Sequence, residues 1–567
     1  MQPFVVMDRR NCRGNREGAV LAWRSWAASA IWERLYDRRI SPQLSHRRIS
    51  RLNPRQRFGR LGMRWAGVLS AAWLTAAGVA HAQAPVTAKV EGGVLAGEAT
   101  DRANVFRNIP FAAAPVGKLR WAPPQTPAKW TGSRDATRNG PSCPQPMNAN
   151  GAPNGGGANG PVSEDCLQLN VFAPKDAAKG ARGAAPVMVW IHGGSHRTGA
   201  GWVYDGQNFA RDGVVVVSIN YRLGALGYFA HPALTRAAGA EPTGNFGLMD
   251  QIAALEWVKR NAAAFGGDPE NVTVFGESAG GMSILALLAT PKARGLYQKA
   301  IVQSGGGWFP PVDLAAKEQQ GAAALAKAGV AATATADELR AIPVETLVPI
   351  AANYGPFIDG KLMTESASQA LARGTFDDVP LMIGSNSGED SLMGPGPLTP
   401  AQLALIPPAV RPIYKDEAAQ GDEVLARAVF TDRIMGGAAR WVAAEAAGGK
   451  PAWLYHFSYV GSRFRPAVKT AAHAAEIQYV FEYWGRRTAV SQIGEDDKAM
   501  AALMHACWVS FAKTSAPKCG AQDWPAYDAK TDKLMEFGAE SGVRTNFRKP
   551  QLDLQQTVAL PTLGLKQ

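Results

Sequence analysis

Two uninterrupted apolar runs, Pro186–Ile191 (PVMVWI) and Val214–Ile219 (VVVVSI), stand out along the chain. Runs without polar alternation predict strands covered on both faces, as in a parallel sheet flanked by helices. After Asp250 the period changes. Ile252, Leu255, Val258, Ala262 and Phe265 fall at steps of three or four, the stripe of a helix. A short strand at Val272–Phe275, a helix over Met282–Leu288 and strands at Ala300–Val302 and Val379–Ile383 follow. This alternation predicts an α/β fold built on a mostly parallel, doubly wound central sheet. Upstream, Val86–Trp130 is rich in turns and short β-like runs, among them Asn108–Phe111 and Pro115–Trp121, and Glu164–Val171 alternates like a half-buried strand. The helical, Ala-rich stretches near 311–350 and 398–450 read as insertions that form a cap over the site, and no internal repeat is visible.

Charge changes the picture only once it is located. The net charge of the 567 residues is +13, but residues 1–82 hold 15 Arg, no Lys and four acids. Residues 83–567 therefore carry 45 Lys and Arg against 43 Asp and Glu, about +2, which removes the case for a nucleic-acid partner. Within the leader, Met63-Arg64 precedes an uncharged run, Trp65–Ala80, and then Ala80-His81-Ala82, a small-x-small cleavage step. Residues 63–82 thus read as a signal peptide cut before Gln83, too short for a membrane span of about 20 residues. Residues 1–62 read as a mis-chosen start or an Arg-rich targeting extension, and 83–567 as a single folded domain. A secreted or periplasmic location follows, with no stable membrane anchor; the oligomeric state stays open. Beyond the leader remain Cys143, Cys166, Cys507 and Cys519, two sequence-local pairs suited to disulfides in an oxidising compartment, the alternative being buried free thiols. The first pair would close a loop whose heart, Asn148–Asn159, is almost wholly Gly, Asn, Ala and Pro.

The candidate chemistry sits at Asn271–Gly281, NVTVFGESAGG. A strand running into Gly276-Glu277-Ser278-Ala279-Gly280 and then a helix puts Ser278 on a tight turn, its hydroxyl exposed and the helix's first N–H groups aimed at whatever it attacks. A serine nucleophile needs a base and a group to orient that base, in the chain order Ser, acid, His for such a turn. Three histidines follow Ser278. His456 falls in an alternating strand and His505 in a helical run, whereas His473 lies in a loop between strand and helix, where it can reach a sheet edge. Glu277 has two readings, an electrostatic role beside the nucleophile or a hydrogen-bonded buried carboxylate. The histidines and acids show no metal-ligand spacing such as H-E-x-x-H, so neither metal nor cofactor is expected.

The blocks EDCLQLNV from 164, VWIHGG from 189, NYRLGALGYF from 220, the long block from Gly244 through GESAGG, and HAAEIQYVF from 473 resemble the type-B carboxylesterases. That group includes the cholinesterases and bacterial p-nitrobenzyl esterases, and the resemblance spans roughly 85–530. It implies an α/β-hydrolase fold and ester hydrolysis through an acyl-serine intermediate. It further implies that Ser278 is the nucleophile, His473 the general base and Glu389 the orienting acid. Where the family usually has Asp-Glu-Gly this chain has Gly388-Glu389-Asp390, so Asp390 stays an alternative acid. The oxyanion hole falls on Gly194, Ser195 and Ala279. Ser195 stands where the family has Gly or Ala, and His196 where it has Phe, which implies a more polar pocket wall. Arg120 with Glu164 and Arg222 with Asp250 fall where the family has buried ion pairs. A catalytically dead scaffold on this fold would have lost Ser278 or His473, and acyl transfer or cleavage of an amide or carbamate would use the same site.

In the cholinesterase branch the loop closed by the first disulfide carries a Trp that binds a quaternary ammonium. Here the residues between Cys143 and Cys166 include no aromatic. On the expected acyl side stand Gly305–Gly307, Trp308 and Phe309, so the substrate pocket is assigned to His196, Glu277, Trp308 and Phe309. The expected substrate is a small neutral ester with a short to medium acyl chain or an aryl group.

Overall fold

A computed structural model describes residues 86–147, 160–176, 184–404, 406–484, 488–518, 520 and 523–565. The Arg-rich leader, the signal-like run, Asn148–Asn159 and Cys519 lie outside them. One 13-stranded sheet organises the described chain, in the order β1-β2-β3-β5-β7-β6-β8-β9-β10-β11-β12-β13, with β4 (Ser133–Asp135) paired to β2. β1 (Val86–Val90), β2 (Gly93–Ala99), β3 (Asn104–Pro110) and β5 (Gln168–Ala173) form an antiparallel wing. β6 (Ala185–Ile191), β7 (Val215–Ile219), β8 (Gly267–Glu277), β9 (Lys299–Gln303), β10 (Leu381–Asn386), β11 (Ala452–Phe457) and β12 (Lys533–Phe537) run parallel. β13 (Gly542–Thr545) closes the far edge antiparallel to β12.

The apolar runs become the central strands for the reason their pattern implies. β7 is buried at every position, because one core packs helices Phe246–Asn261 and Ala279–Leu288 on one face of the sheet and a second packs helix Glu495–Thr514 on the other. Trp190 of β6 anchors the second core, with Phe275 at 4.8 Å and Phe481 at 5.0 Å between ring centroids.

Three expectations are corrected. The alternating segment from Glu164 does form a strand, β5, but it begins at Gln168 and is buried on both faces, Leu169 and Val171 in one core and Phe172 in the other. Pro115–Trp121 forms a 3-10 turn at Gly117–Leu119, not a strand, and is held by Trp121, whose Nε1 donates to the Ala225 carbonyl at 2.7 Å. Helices do occupy 311–350 and 398–450, but the last of them, Gly437–Ala446, is the buried crossover between β10 and β11, so the insertion ends before it.

The site's position follows from the strand order. The chain steps from β6 outward to β7 and then back across β6 to β8, so the direction of winding reverses beside β6. At such a switch point the loops beyond the carboxyl ends of the strands part and leave a crevice. His192 follows β6, Ser278 follows β8, Ser304 follows β9, and the Glu389 turn follows β10.

Candidate active site

β8 ends at Glu277 and the next helix begins at Ala279, so Ser278 alone makes the turn, at φ 54° and ψ −122°. A non-glycine residue there is strained, and the surroundings hold it. The Ser278 N–H donates to the Gln303 carbonyl at 2.8 Å and the Ser278 carbonyl accepts from Met282 N at 2.9 Å. A Cβ at Gly276 would lie 2.5 Å, and one at Gly280 1.9 Å, from the Ile191 carbonyl oxygen. Both flanking positions therefore require glycine for β6 to pass so close.

His473 sits in the loop after β11, its backbone N–H donating to Ser391 Oγ at 2.9 Å. Its Nδ1 is 2.5 Å from Glu389 Oε2. Glu389 is wholly buried and accepts two further bonds, from Ser304 Oγ at 2.5 Å and Asn386 N at 2.7 Å. Burial alone would raise its pKa, but the charge of His473 and these donors hold the carboxyl below its usual range. Asp390 turns the other way, to Arg427 at 3.3 Å, and burial raises its pKa. Of the two neighbouring acids, Glu389 is the one in contact with the imidazole.

Glu277 contributes what spacing did not reveal: its Oε1 lies 3.0 Å from His473 Nε2. One imidazole is thus bracketed by two carboxylates. Burial would lower the His473 pKa, but the Glu277 and Glu389 charges outweigh it and raise it to about 9. Two residues beneath the site were missed by sequence reasoning. Ser304 binds the acid, and Glu476 accepts from Asn386 Nδ2 at 2.6 Å and Gln303 Nε2 at 3.0 Å, its carboxyl pushed upward by burial. The available signal was position: Glu476 follows His473 by three residues, and Ser304 directly follows β9, the strand paired with β8.

The loop after β6 lies directly against the nucleophile, since a Cβ on Gly193 would be 3.0 Å from Ser278 Cβ. Gly194 (φ 102°), Ser195 (φ 56°) and His196 (φ 53°) all turn left-handed, and Gly194 O accepts from Arg197 N and Thr198 N at 2.9 and 3.0 Å. Gly194 and Ser195 directly follow Gly193 in this loop, and Ala279 is the first residue of the nucleophile's helix. His196 is not in the pocket wall: it is 1 % exposed and points inward, Nε2 3.0 Å from Ser283 Oγ. Glu277 likewise turns to His473 and is 4 % exposed. Trp308 and Phe309 stay partly exposed beyond Gly305–Gly307. The Arg433 guanidinium lies 5.9 Å from the Trp308 ring centroid.

The other two histidines that follow Ser278 have structural settings. His456 packs on Phe547 at 4.6 Å, and burial lowers its pKa to about 4. His505 Nδ1 contacts the Val480 carbonyl at 2.7 Å. Its Nε2 converges with Asp212 and Glu482, but Arg211 already bridges both carboxylates at 2.7 and 2.8 Å, which makes the cluster an ion-pair network. Cys143 and Cys166 form a disulfide, and Cys507 is disulfide-bonded. Arg120–Glu164 and Arg222–Asp250 pair at 2.5 and 2.7 Å.

Residues 80–402 and 408–555 match the sequence model of the carboxylesterase family. The chain is 34 % identical to a fumonisin B1 esterase of Sphingopyxis macrogoltabida, over 94 % of this chain and 97 % of that one. It is 35 % identical to a para-nitrobenzyl esterase of Bacillus subtilis, over 79 % and 94 %. A solved PNB esterase structure superposes with a TM-score of 0.70 at 32 % identity, covering 83 % of this chain and 99 % of that one.

Proposed function

The chain belongs to the carboxylesterase family and is a serine ester hydrolase with an α/β-hydrolase fold; on that premise we propose that Ser278, His473 and Glu389 carry the reaction. The observation that supports this most directly is the short contact of Glu389 with His473, an imidazole whose Nε2 reaches Glu277, the residue directly before Ser278 on its strained strand-to-helix turn. His473 Nε2 takes the Ser278 hydroxyl proton as Oγ attacks the ester carbonyl, and Glu389 holds the ring and stabilises the imidazolium that forms. The carbonyl oxygen becomes an oxyanion facing the amides of Gly194, Ser195 and Ala279. Collapse expels the alcohol, which takes the proton from His473. Water, deprotonated by the same ring, then releases the acid and restores Ser278.

The substrate assigned is a neutral ester with a short to medium acyl chain or an aryl group, with Trp308 and Phe309 on the acyl side. The loop closed by Cys143–Cys166 supplies no aromatic face for a cation. Because a fumonisin B1 esterase aligns over nearly the whole chain, fumonisin B1 belongs in the same panel as a bulkier competitor. The test is a set of p-nitrophenyl, choline and fumonisin esters, assayed with and without a competing alcohol. Preference for fumonisin B1 would replace the small-ester reading, and alcohol-trapped product would reveal acyl transfer.

A secreted or periplasmic location, with residues 63–82 as the signal, is supported by the Cys143–Cys166 disulfide. No helix among the described residues is long and apolar enough to cross a membrane. Sequencing the N-terminus of material exported by the native host should find Gln83 or a near neighbour. Recovery of Met1 would overturn the assignment.

A further inference from the structure

Ser195 and His196 occupy a backbone region that side-chain-bearing residues avoid, so something must hold the loop there. Three contacts of His196 do. Its carbonyl accepts from Gly224 N at 2.6 Å, its ring lies 4.7 Å from that of Tyr228, and its Nε2 is 3.0 Å from Ser283 Oγ. Ser283 is fully buried, five residues after Ser278, on the helix that Ala279 begins. Gln251 Nε2 donates to Ser283 Oγ at 3.0 Å. The Ser283 hydroxyl thereby joins Gln251 to His196, whose other ring nitrogen, Nδ1, lies on the side of Gly355. Burial lowers the His196 pKa to about 3, so the ring stays neutral and the tie to Ser283 is a bond between uncharged groups.

We propose that the chain Gln251–Ser283–His196 is a positioning device that sets the spacing between the oxyanion amides of Gly194 and Ser195 and that of Ala279. This rests on the assignment of Ser278 and those amides made above. Oxyanion donors act only within about 2.7–3.1 Å of the developing charge. Two of the three stand on a strained loop and the third on a helix, and the His196–Ser283 bond is a direct side-chain tie between loop and helix. His196 touches no reacting atom; its effect runs through the amides.

The experiment compares Ser283→Ala, His196→Phe, the double variant and His196→Gln, counting working sites by fluorophosphonate titration. Per titrated site, each of the first two should lose about tenfold or more in kcat, less than the 10²–10³ that deleting a donor outright costs. KM should change little. Affinity for a trifluoromethyl ketone, which mimics the tetrahedral oxyanion, should fall by the same factor as kcat/KM. Both substitutions break one bond, so the double variant should be no slower than the slower single. His196→Gln, whose amide can donate to or accept from Ser283, should recover part of the loss. Full kcat per titrated site in Ser283→Ala, with only a lower Tm, makes the chain merely structural and overturns the proposal. So do multiplying losses in the double variant, or a loss confined to KM. A wild-type protein whose Ser278 is not labelled would instead overturn the nucleophile assignment, and the proposal with it.

Discussion

His473 lies between Glu277 and Glu389, and its protonation decides when the site works. Only the neutral imidazole can act as base, and the two carboxylates favour the charged form. The acidic limb of the kcat/KM profile is therefore expected above the reference histidine value of about 6.5, rising toward about 9, rather than below pH 6 to 7 as an unperturbed ring implies. Glu277→Gln removes one carboxylate, lowers the His473 pKa and should move that limb to lower pH; an unmoved limb would show that Glu277 does not set it. The acid assignment has its own measurement. Glu389→Gln should lower kcat by about 10³–10⁴, comparable to neutralising the acid of a serine triad. Asp390→Asn, which faces Arg427, should stay within about tenfold of wild type. The reverse order would transfer the role to Asp390.

Among the elements, helix Phe246–Asn261 is tied to the segment after β7 by one buried ion pair. Arg222 Nε and Nη2 reach Asp250 at 2.8 and 2.7 Å, and the side chains are 4 % and 0 % exposed. Asp250→Asn leaves the guanidinium buried and uncompensated, and a loss of about 3–5 kcal/mol in urea unfolding is expected. A loss below about 1 kcal/mol would mean that water or another acceptor reaches Arg222. Both partners were legible as a pair in the sequence, because each sits in a recognisable block. The 3-10 turn at Gly117–Leu119 was not, since Pro115-Val116 and Leu119 match a β-like run locally and only the burial of Trp121 under Ala225 selects the tighter turn.

For the whole molecule, the reversal of strand order beside β6 assembles the site from loops that are far apart in sequence. Cys143 and Cys166 close a segment whose Gln145 meets the loop after β6, its Nε2 donating to the Gly199 carbonyl at 2.9 Å. With no aromatic in that segment, p-nitrophenyl butyrate should be hydrolysed with a much higher kcat/KM than butyrylcholine. Comparable values would place a cation site elsewhere in the crevice and leave Ser278 untouched.

What the sequence by itself determined was local in origin. Continuous apolar runs identified the parallel strands, a step of three or four identified the helix after Asp250, and the glycines around Ser278 identified a turn that no other residue fits. His473 could be chosen over His456 and His505 because the periodicity around each reported strand, helix or loop. Tertiary structure alone decided which side chains meet. Glu389 rather than Asp390 reaches a histidine 84 residues away, and His196 turns inward to a serine 87 residues on. Adjacent residues on one turn differ only in the direction they face, and that direction is set by packing against distant elements. Hydrophobic period carries no information about it.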